Sequence, residues 1–185
     1  YKIQVDSSAS SGSGRSSSGS STTDTSNGTV VTSFSELTAA VTKAEKAGGG
    51  IVYVKGSSIS CTAQLALKAS NANVSIIGVK NSDGTYPVLD FSAFRSAYIG
   101  KATTDSEVGI RISGSNYTIK NLIIQKAPDN GIQIKGSSAG NNTIENCIVR
   151  YNNDAGVQIT GGAYSNTMRF VYSYRNCDVY TLGGN

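Results

Sequence analysis

The 185-residue sequence is long enough for one domain with a sizeable core and too short for two large ones. Sixteen Lys and Arg against twelve Asp and Glu leave a net charge of +4, with only 15% of residues charged; this mildly favours an anionic partner and falls well short of a basic nucleic-acid stripe. The complete absence of histidine excludes a Ser-His-Asp triad, an HExxH zinc site, a histidine general base and a histidine pH switch, and no apolar run approaches the ~20 residues of a membrane span. Tryptophan is absent too, so any stacking on a sugar falls to Tyr or Phe, while 21 Gly against 2 Pro point to a turn-rich β protein.

The chain opens at Tyr1 with neither an initiator Met nor a signal peptide, which reads as a processed piece. Residues 1–6 (YKIQVD) resemble the last strand of an upstream segment. Residues 7–27 contain eleven serines and read as a flexible linker, because such a tract cannot bury enough apolar surface to offset its ordering entropy. A domain spanning 28–185 follows. Its one helix is expected over 35–47, where Ser35 precedes an apolar stripe of Leu37, Ala40, Val41, Ala44 and Ala47 and Gly48-Gly49-Gly50 ends it. Thereafter only short strands are expected: one from Ile51, then 74–79, 109–113, 117–125, 132–135, 143–150, 157–160 and 167–172, separated by turns rich in Asn, Gly, Ser and Asp. The cysteines Cys61, Cys147 and Cys177 make no CxxC and no disulfide framework; they read as buried small hydrophobes, although Cys147 and Cys177 could pair in a secreted protein.

A repeat of 24–25 residues underlies the second half. DNGIQIKG from Asp129 returns as DAGVQITG from Asp154, and TIKN from Thr118 returns as TIEN from Thr143 and TMRF from Thr167. Short strands and turns repeating at that period, without a helix in each repeat and without a leucine ladder, specify an all-β right-handed parallel β-helix. The helix at 35–47 becomes its N-terminal cap, covering strand edges that would otherwise template aggregation. The sequence closes on Asn185 in mid-repeat, which reads as the N-terminal coils of a longer, truncated solenoid.

The repeat stacks like residues. Asp129, Asp154 and Asp178 are expected to form a ladder with neighbours ~4.8 Å apart, either capping their own turns or sharing a Ca²⁺, and Asp178, whose repeat lacks the glycine step, is the metal candidate. Asn152 and Asn176 should form an internal amide ladder. Arg150 and Arg175, placed one register apart with Lys126 near the same line, offer a grip for a polyanion or simply a solvated face. Tyr151, Tyr172, Tyr174 and Tyr180 can stack on sugar rings or pack in turns.

The stretch DAGVQITGG, the segment SNTMRFVYSYRNCDVYTLGGN with its Asn-Thr strand start, SYRN-x-D and Gly-Gly-Asn ending, and the N-terminal TSFSELTAAVTKAEKAGGGIVYVKG together resemble family 9 polysaccharide lyases, the pectate-lyase-type β-helices. The likeness covers about residues 30–185, and Cys177 stands where the family more usually has an aromatic. The resemblance implies a secreted enzyme, monomeric at full length, that cleaves polygalacturonate or a related pectic uronan by β-elimination. In that scheme Ca²⁺ held by Asp residues acidifies the C5 proton and a Lys removes it. The family's calcium and base residues match positions expected beyond residue 185, so the resemblance transfers no catalytic residue to this chain, and the fragment alone is expected to be inactive. Arg150, Arg175 and Tyr174 remain the substrate-binding candidates. The alternatives are a non-catalytic β-helix adhesin or polysaccharide-binding module, a polygalacturonase using paired carboxylates, and a uronan epimerase.

Overall fold

The structure, a computed structural model, describes residues 23–182. The segment expected to end an upstream strand (1–6), all but the last residues of the linker expected over 7–27, and the final Gly-Gly-Asn lie outside the described residues.

Strand β1 (Thr29–Val31) leads into helix α1 (Phe34–Lys46). The cap is Ser33, two residues earlier than the sequence suggested: its hydroxyl accepts the Glu36 N–H at 3.3 Å. The Glu36 carboxylate reaches back past the cap to accept the Thr32 N–H at 2.7 Å, a variant of the capping box displaced by one residue. Leu37, Ala40 and Val41 are buried, and the helix packs on β1 and β2 (Gly50–Val54). From there the chain winds through β3 (Ser58–Ser60), β4 (Leu65–Leu67), β5 (Val74–Gly78), β6 (Val88–Asp90), a short helix α2 (Ser92–Ser96) and β7 (Ile110–Ile112). Two regular coils and part of another follow as β8 (Tyr117–Lys120), β9 (Ile123–Gln125), β10 (Ile132–Lys135), β11 (Thr143–Glu145), β12 (Ile148–Arg150), β13 (Val157–Thr160), β14 (Thr167–Arg169) and β15 (Tyr172–Tyr174).

Every strand pair is parallel, and the strands sort into three sheets: β1-β2-β5-β8-β11-β14, β3-β6-β9-β12-β15 and β4-β7-β10-β13. This is the three-sided parallel β-helix that the period demanded. Like residues stack as that period requires: Thr118, Thr143 and Thr167 are in register, as are Ile132 and Val157. Inward columns fill the coil, with Val52, Ile76, Ile119 and Ile144 on the first side, Ile59, Leu89, Ile124 and Val149 on the second, and Leu67, Ile112 and Ile134 on the third, all nearly inaccessible.

The runs expected as single strands over 117–125 and 143–150 are each cut in two by a corner. Asn121, Asn146 and Phe170 adopt left-handed φ of 59°, 50° and 54° between the first and second sheets. Lys126, Tyr151 and Arg175 do the same at the next corner, with φ of 61°, 56° and 51°. The glycines of the two D-x-G copies serve packing rather than a tight turn. A Cβ on Gly131 would stand 2.5 Å from Asn152 Nδ2, and one on Gly156 would stand 2.6 Å from Asn176 Nδ2, so each glycine makes room for the inward asparagine of the next coil. Those asparagines form the expected amide ladder. Asn152 Oδ1 accepts the Ala127 N–H, while Asn176 Oδ1 accepts both Asn152 N–H and Nδ2–H, at 2.9–3.1 Å. A second ladder, Asn142 with Asn166, repeats the arrangement between the third and first sheets.

Candidate functional site

The outer face of the second sheet and its corner toward the third gather the three cations and three of the four tyrosines singled out by sequence. Outward residues run in columns across the coils. Val88, Ile123, Ile148 and Tyr172 form one, and Asp90, Gln125, Arg150 and Tyr174 form the next. The corner column is Lys126, Tyr151 and Arg175. Arg150 and Arg175 therefore do not share a line. The step between their coils is 24 residues, so Arg150 lies opposite Tyr174, and the Tyr151 N–H donates to the Arg175 carbonyl at 2.8 Å.

Offset by one column, the two arginines nevertheless meet. Arg150 Nη1 donates to the Tyr174 hydroxyl at 3.1 Å, and Arg175 Nη1 donates to the Tyr151 hydroxyl at 2.9 Å, a reciprocal exchange between consecutive coils. Both guanidinium groups lie against the same ring, 5.4 and 5.8 Å from the Tyr151 centroid, within range of cation–π attraction. Tyr174 stands edge-on to Tyr151 at 6.3 Å, and Arg150 Nε is held from behind by Gln125 Oε1 at 2.9 Å.

The charge balance here is unusual for this molecule. Among the described residues, Arg95, Arg111 and Arg169 each pair with a carboxylate (Asp178, Asp105 and Glu145), whereas no carboxylate comes within ion-pair distance of Arg150 or Arg175. Lys126, the third cation of the expected row, is neutralised by Asp90 at 3.1 Å. Burial works to raise the pKa of Asp90, but hydrogen bonds from Ser92, Gln125 and Lys126 outweigh it and bring it down to about 2. One fixed anion thus satisfies Lys126 and leaves the arginines exposed to whatever binds.

Arg95 on α2, which the repeat could not reveal because it lies in an insertion between coils, locks the edge of this face. Its Nη1 donates to the Tyr151 carbonyl at 3.1 Å and to Asp178 Oδ2 at 3.3 Å, and its guanidinium lies 4.3 Å from the Tyr180 ring centroid. Asp178 is consequently not released from structural work, as its missing glycine step had suggested; it is held by an arginine.

The aspartates divide further. The Asp154 N–H donates to the Asp129 carbonyl at 3.2 Å, so these two are in step. The Cys177 N–H, rather than that of Asp178, donates to the Asp154 carbonyl, which shifts Asp178 out of line. Asp129 is buried; Oδ1 accepts the Asn130 N–H and Nδ2–H at 2.7 Å each, and Oδ2 accepts the Thr103 hydroxyl at 2.6 Å. Burial, and secondarily the charge of Asp129, raise the pKa of Asp154 above the ordinary carboxylate range. With Asp129 saturated by donors and Asp178 bound to a guanidinium, these carboxylates do not fit a calcium cage. Among the described residues no group of three acidic, thiol or imidazole ligands assembles. All three cysteines are free: Cys147 is buried and its thiol pushed up to about 11 by burial, while Cys177 is exposed, so the two do not pair. Among the described residues, no helix is long and apolar enough to cross a membrane.

The family model described as Pel9A-like, right handed beta helix region, matches residues 18–185. Pectate lyase L of Paenibacillus polymyxa (strain SC2) is 33% identical over 104 residues, which is 55% of this chain and 21% of that protein. The crystal structure of pectate lyase Pel9A superposes with a TM-score of 0.55 at 22% identity, over 77% of this chain and 34% of the other. The chain thus spans about a fifth to a third of the length of these two relatives.

Proposed function

The chain belongs to the Pel9A-like right-handed β-helix family, a family of pectate-lyase-type enzymes, and from that premise we propose that it serves a secreted, monomeric lyase acting on polygalacturonate or a related pectic uronan. The proposed reaction is β-elimination. A base takes the C5 proton of a uronate, the C5–H electron pair becomes the C4–C5 double bond, and the C4–O bond breaks with its electrons on the departing glycosidic oxygen. Calcium assistance belongs to this reading of the whole protein, but the carboxylates described here do not fit a cage for it, and no step is routed through them. The part proposed for this chain is to hold the polymer, with Arg150, Arg175 and Tyr174 as the contacts.

The observation that carries the reading is the pair of guanidinium groups without a carboxylate, fixed against one tyrosine on a face whose other cation is neutralised. A uronate brings what that face lacks: a carboxylate beside a ring whose C–H face can lie on an aromatic. A non-catalytic polysaccharide-binding module would use the same face. The test is incubation of the whole protein with polygalacturonate, followed by ultraviolet absorbance of unsaturated uronide with added calcium and again with chelator. A calcium-dependent rise is expected. Binding without such a rise in either condition replaces the lyase with the binding module.

A further inference from the structure

Resting on the polyuronate reading, we infer that Arg150, Tyr151, Tyr174 and Arg175 form a preassembled clamp for sugar carboxylates that works without calcium and carries the polymer across two consecutive coils. Three observations carry this. The first is electrostatic: a guanidinium usually finds a carboxylate when one is near, and among the described residues every other arginine has done so. Arg150 and Arg175 are instead held by neutral oxygens, those of Gln125, Tyr174 and Tyr151, which fix their position without cancelling their charge. The second is rigidity. Each arginine rests on the Tyr151 ring and is tethered to a residue of the neighbouring coil, and Arg95 pins the Tyr151 carbonyl from behind, so little side-chain freedom is left to lose on binding.

The third observation is direction. Arg150 and Arg175 belong to consecutive coils, which are spaced by the ~4.8 Å of neighbouring strands. A polymer that presents separate acidic groups to both must therefore cross from one coil to the next, at a slant set by the one-column offset. Beside the clamp, Ile148 and Tyr172 stack in the same two coils, with Tyr172 66% exposed, and give the sugar rings an apolar strip to lie on. Lys126 is left out of the clamp because Asp90 already holds it.

The clamp requires free carboxylates, since a methyl ester offers a guanidinium no charge. It is tested by affinity electrophoresis and calorimetry on the 185-residue chain in excess chelator, with polygalacturonate, fully methyl-esterified pectin and a neutral galactan as probes. The expected result is retardation by polygalacturonate alone. Arg150→Gln and Arg175→Gln should each weaken binding about tenfold, and Lys126→Gln should change it less than about twofold. Tyr174→Phe, which removes one hydroxyl tether from an exposed ring, should weaken binding by a smaller factor without a change in melting temperature, separating the clamp from any folding defect. Equal loss in Lys126→Gln, equal binding to the esterified polymer, or no binding until calcium is added would each overturn the inference. Because the readout is binding in chelator, it stands or falls independently of whether the whole protein forms unsaturated product.

Discussion

Asn152 is fully buried, and both ends of its amide are in use. Replacing it with Ala strands the buried Ala127 N–H, costing about 1–3 kcal/mol, and removes the side-chain bond to Asn176 Oδ1, which keeps only the backbone N–H of residue 152, at about 1 kcal/mol more. Asn152→Ala is therefore expected to destabilise the chain by about 2–4 kcal/mol, read as a lower midpoint in urea unfolding, whereas Lys55→Ala, at an exposed side chain, should stay within about 0.5 kcal/mol. The same reasoning applied to charge singles out Asp90. Its folded pKa of about 2 lies below the 3.8 of an unperturbed aspartate, so between those values the unfolded chain binds the proton that the folded chain refuses. The stability contributed by Asp90 is complete above about pH 4 and is lost as pH falls toward 2. The shift corresponds to about 2 kcal/mol. Urea midpoints measured from pH 7 to pH 2 should fall on that limb, and Asp90→Asn should flatten it; an unchanged limb would remove the role assigned to the Ser92, Gln125 and Lys126 hydrogen bonds. Asp154 works in the opposite sense: its raised pKa means that its charged form weakens the fold as pH rises through and above the ordinary carboxylate range.

Helix α1 was legible in the sequence because its period, its cap-forming serines and its glycine stop all agree, and the structure moves only the capping residue. Its work is to cover the first coil. Pro at Ala40 would remove a helical hydrogen bond on the buried face and should cost ~3 kcal/mol or more. Ser33→Ala should cost about 1 kcal/mol by freeing the first-turn N–H groups. If thermal melts showed the proline variant as stable as the parent, the helix would not be the cap. The regular strands from Tyr117 onward were equally legible, since the copies around Asp129 and Asp154 retain the same alternation. The strands Ser58–Ser60, Leu65–Leu67 and Val88–Asp90 were not. Each is three residues long, and the insertions around 79–87 and 91–108 break the period that would have exposed them, so that β4 pairs with β7 across 45 residues. The corners were hidden for another reason. Asn121 and Asn146 end runs that alternate well enough to be read straight through, and a left-handed φ at Asn is a local side-chain effect that hydrophobic pattern does not register. Sequence spacing singled out Arg150, Arg175 and Tyr174 as candidates, and the structure brings them together. Spacing missed the offset between columns, because one coil is a residue shorter, and it missed Arg95, whose insertion has no copy to align.

Across the whole molecule, burial is graded along the axis. The inward positions Ile76, Ile119 and Ile144 are essentially inaccessible, yet Met168, the next in that column, is 48% exposed, and Ile159 of the third sheet is 41% exposed. Strands β14 and β15 are exposed at every position. In a solenoid each coil is stabilised by its neighbours, so local stability follows how many neighbours a coil has. Coils between residues 74 and 150 have one on each side, and helix α1 covers the start, whereas β14 and β15 pair on one edge only in the described structure. Hydrogen exchange on the 185-residue chain should therefore be slowest at Ile76, Ile119, Ile124 and Ile144, and faster by about two orders of magnitude or more at Met168 and Ser173, an opening free energy lower by about 3 kcal/mol. In the 185-residue chain Tyr174 and Arg175 lie in the outermost described coil, while Arg150 and Tyr151 lie in the coil beneath. A polyuronate bound across both ties the outer coil to the inner one. Adding polygalacturonate should slow exchange at Ser173 and Tyr174 while leaving Ile76 unchanged, since the free energy of binding is felt only by openings that release the ligand. Uniform protection at every position would mean that the polymer stabilises the chain without using this corner, and unaltered exchange at Ser173 and Tyr174 would place its binding on another face.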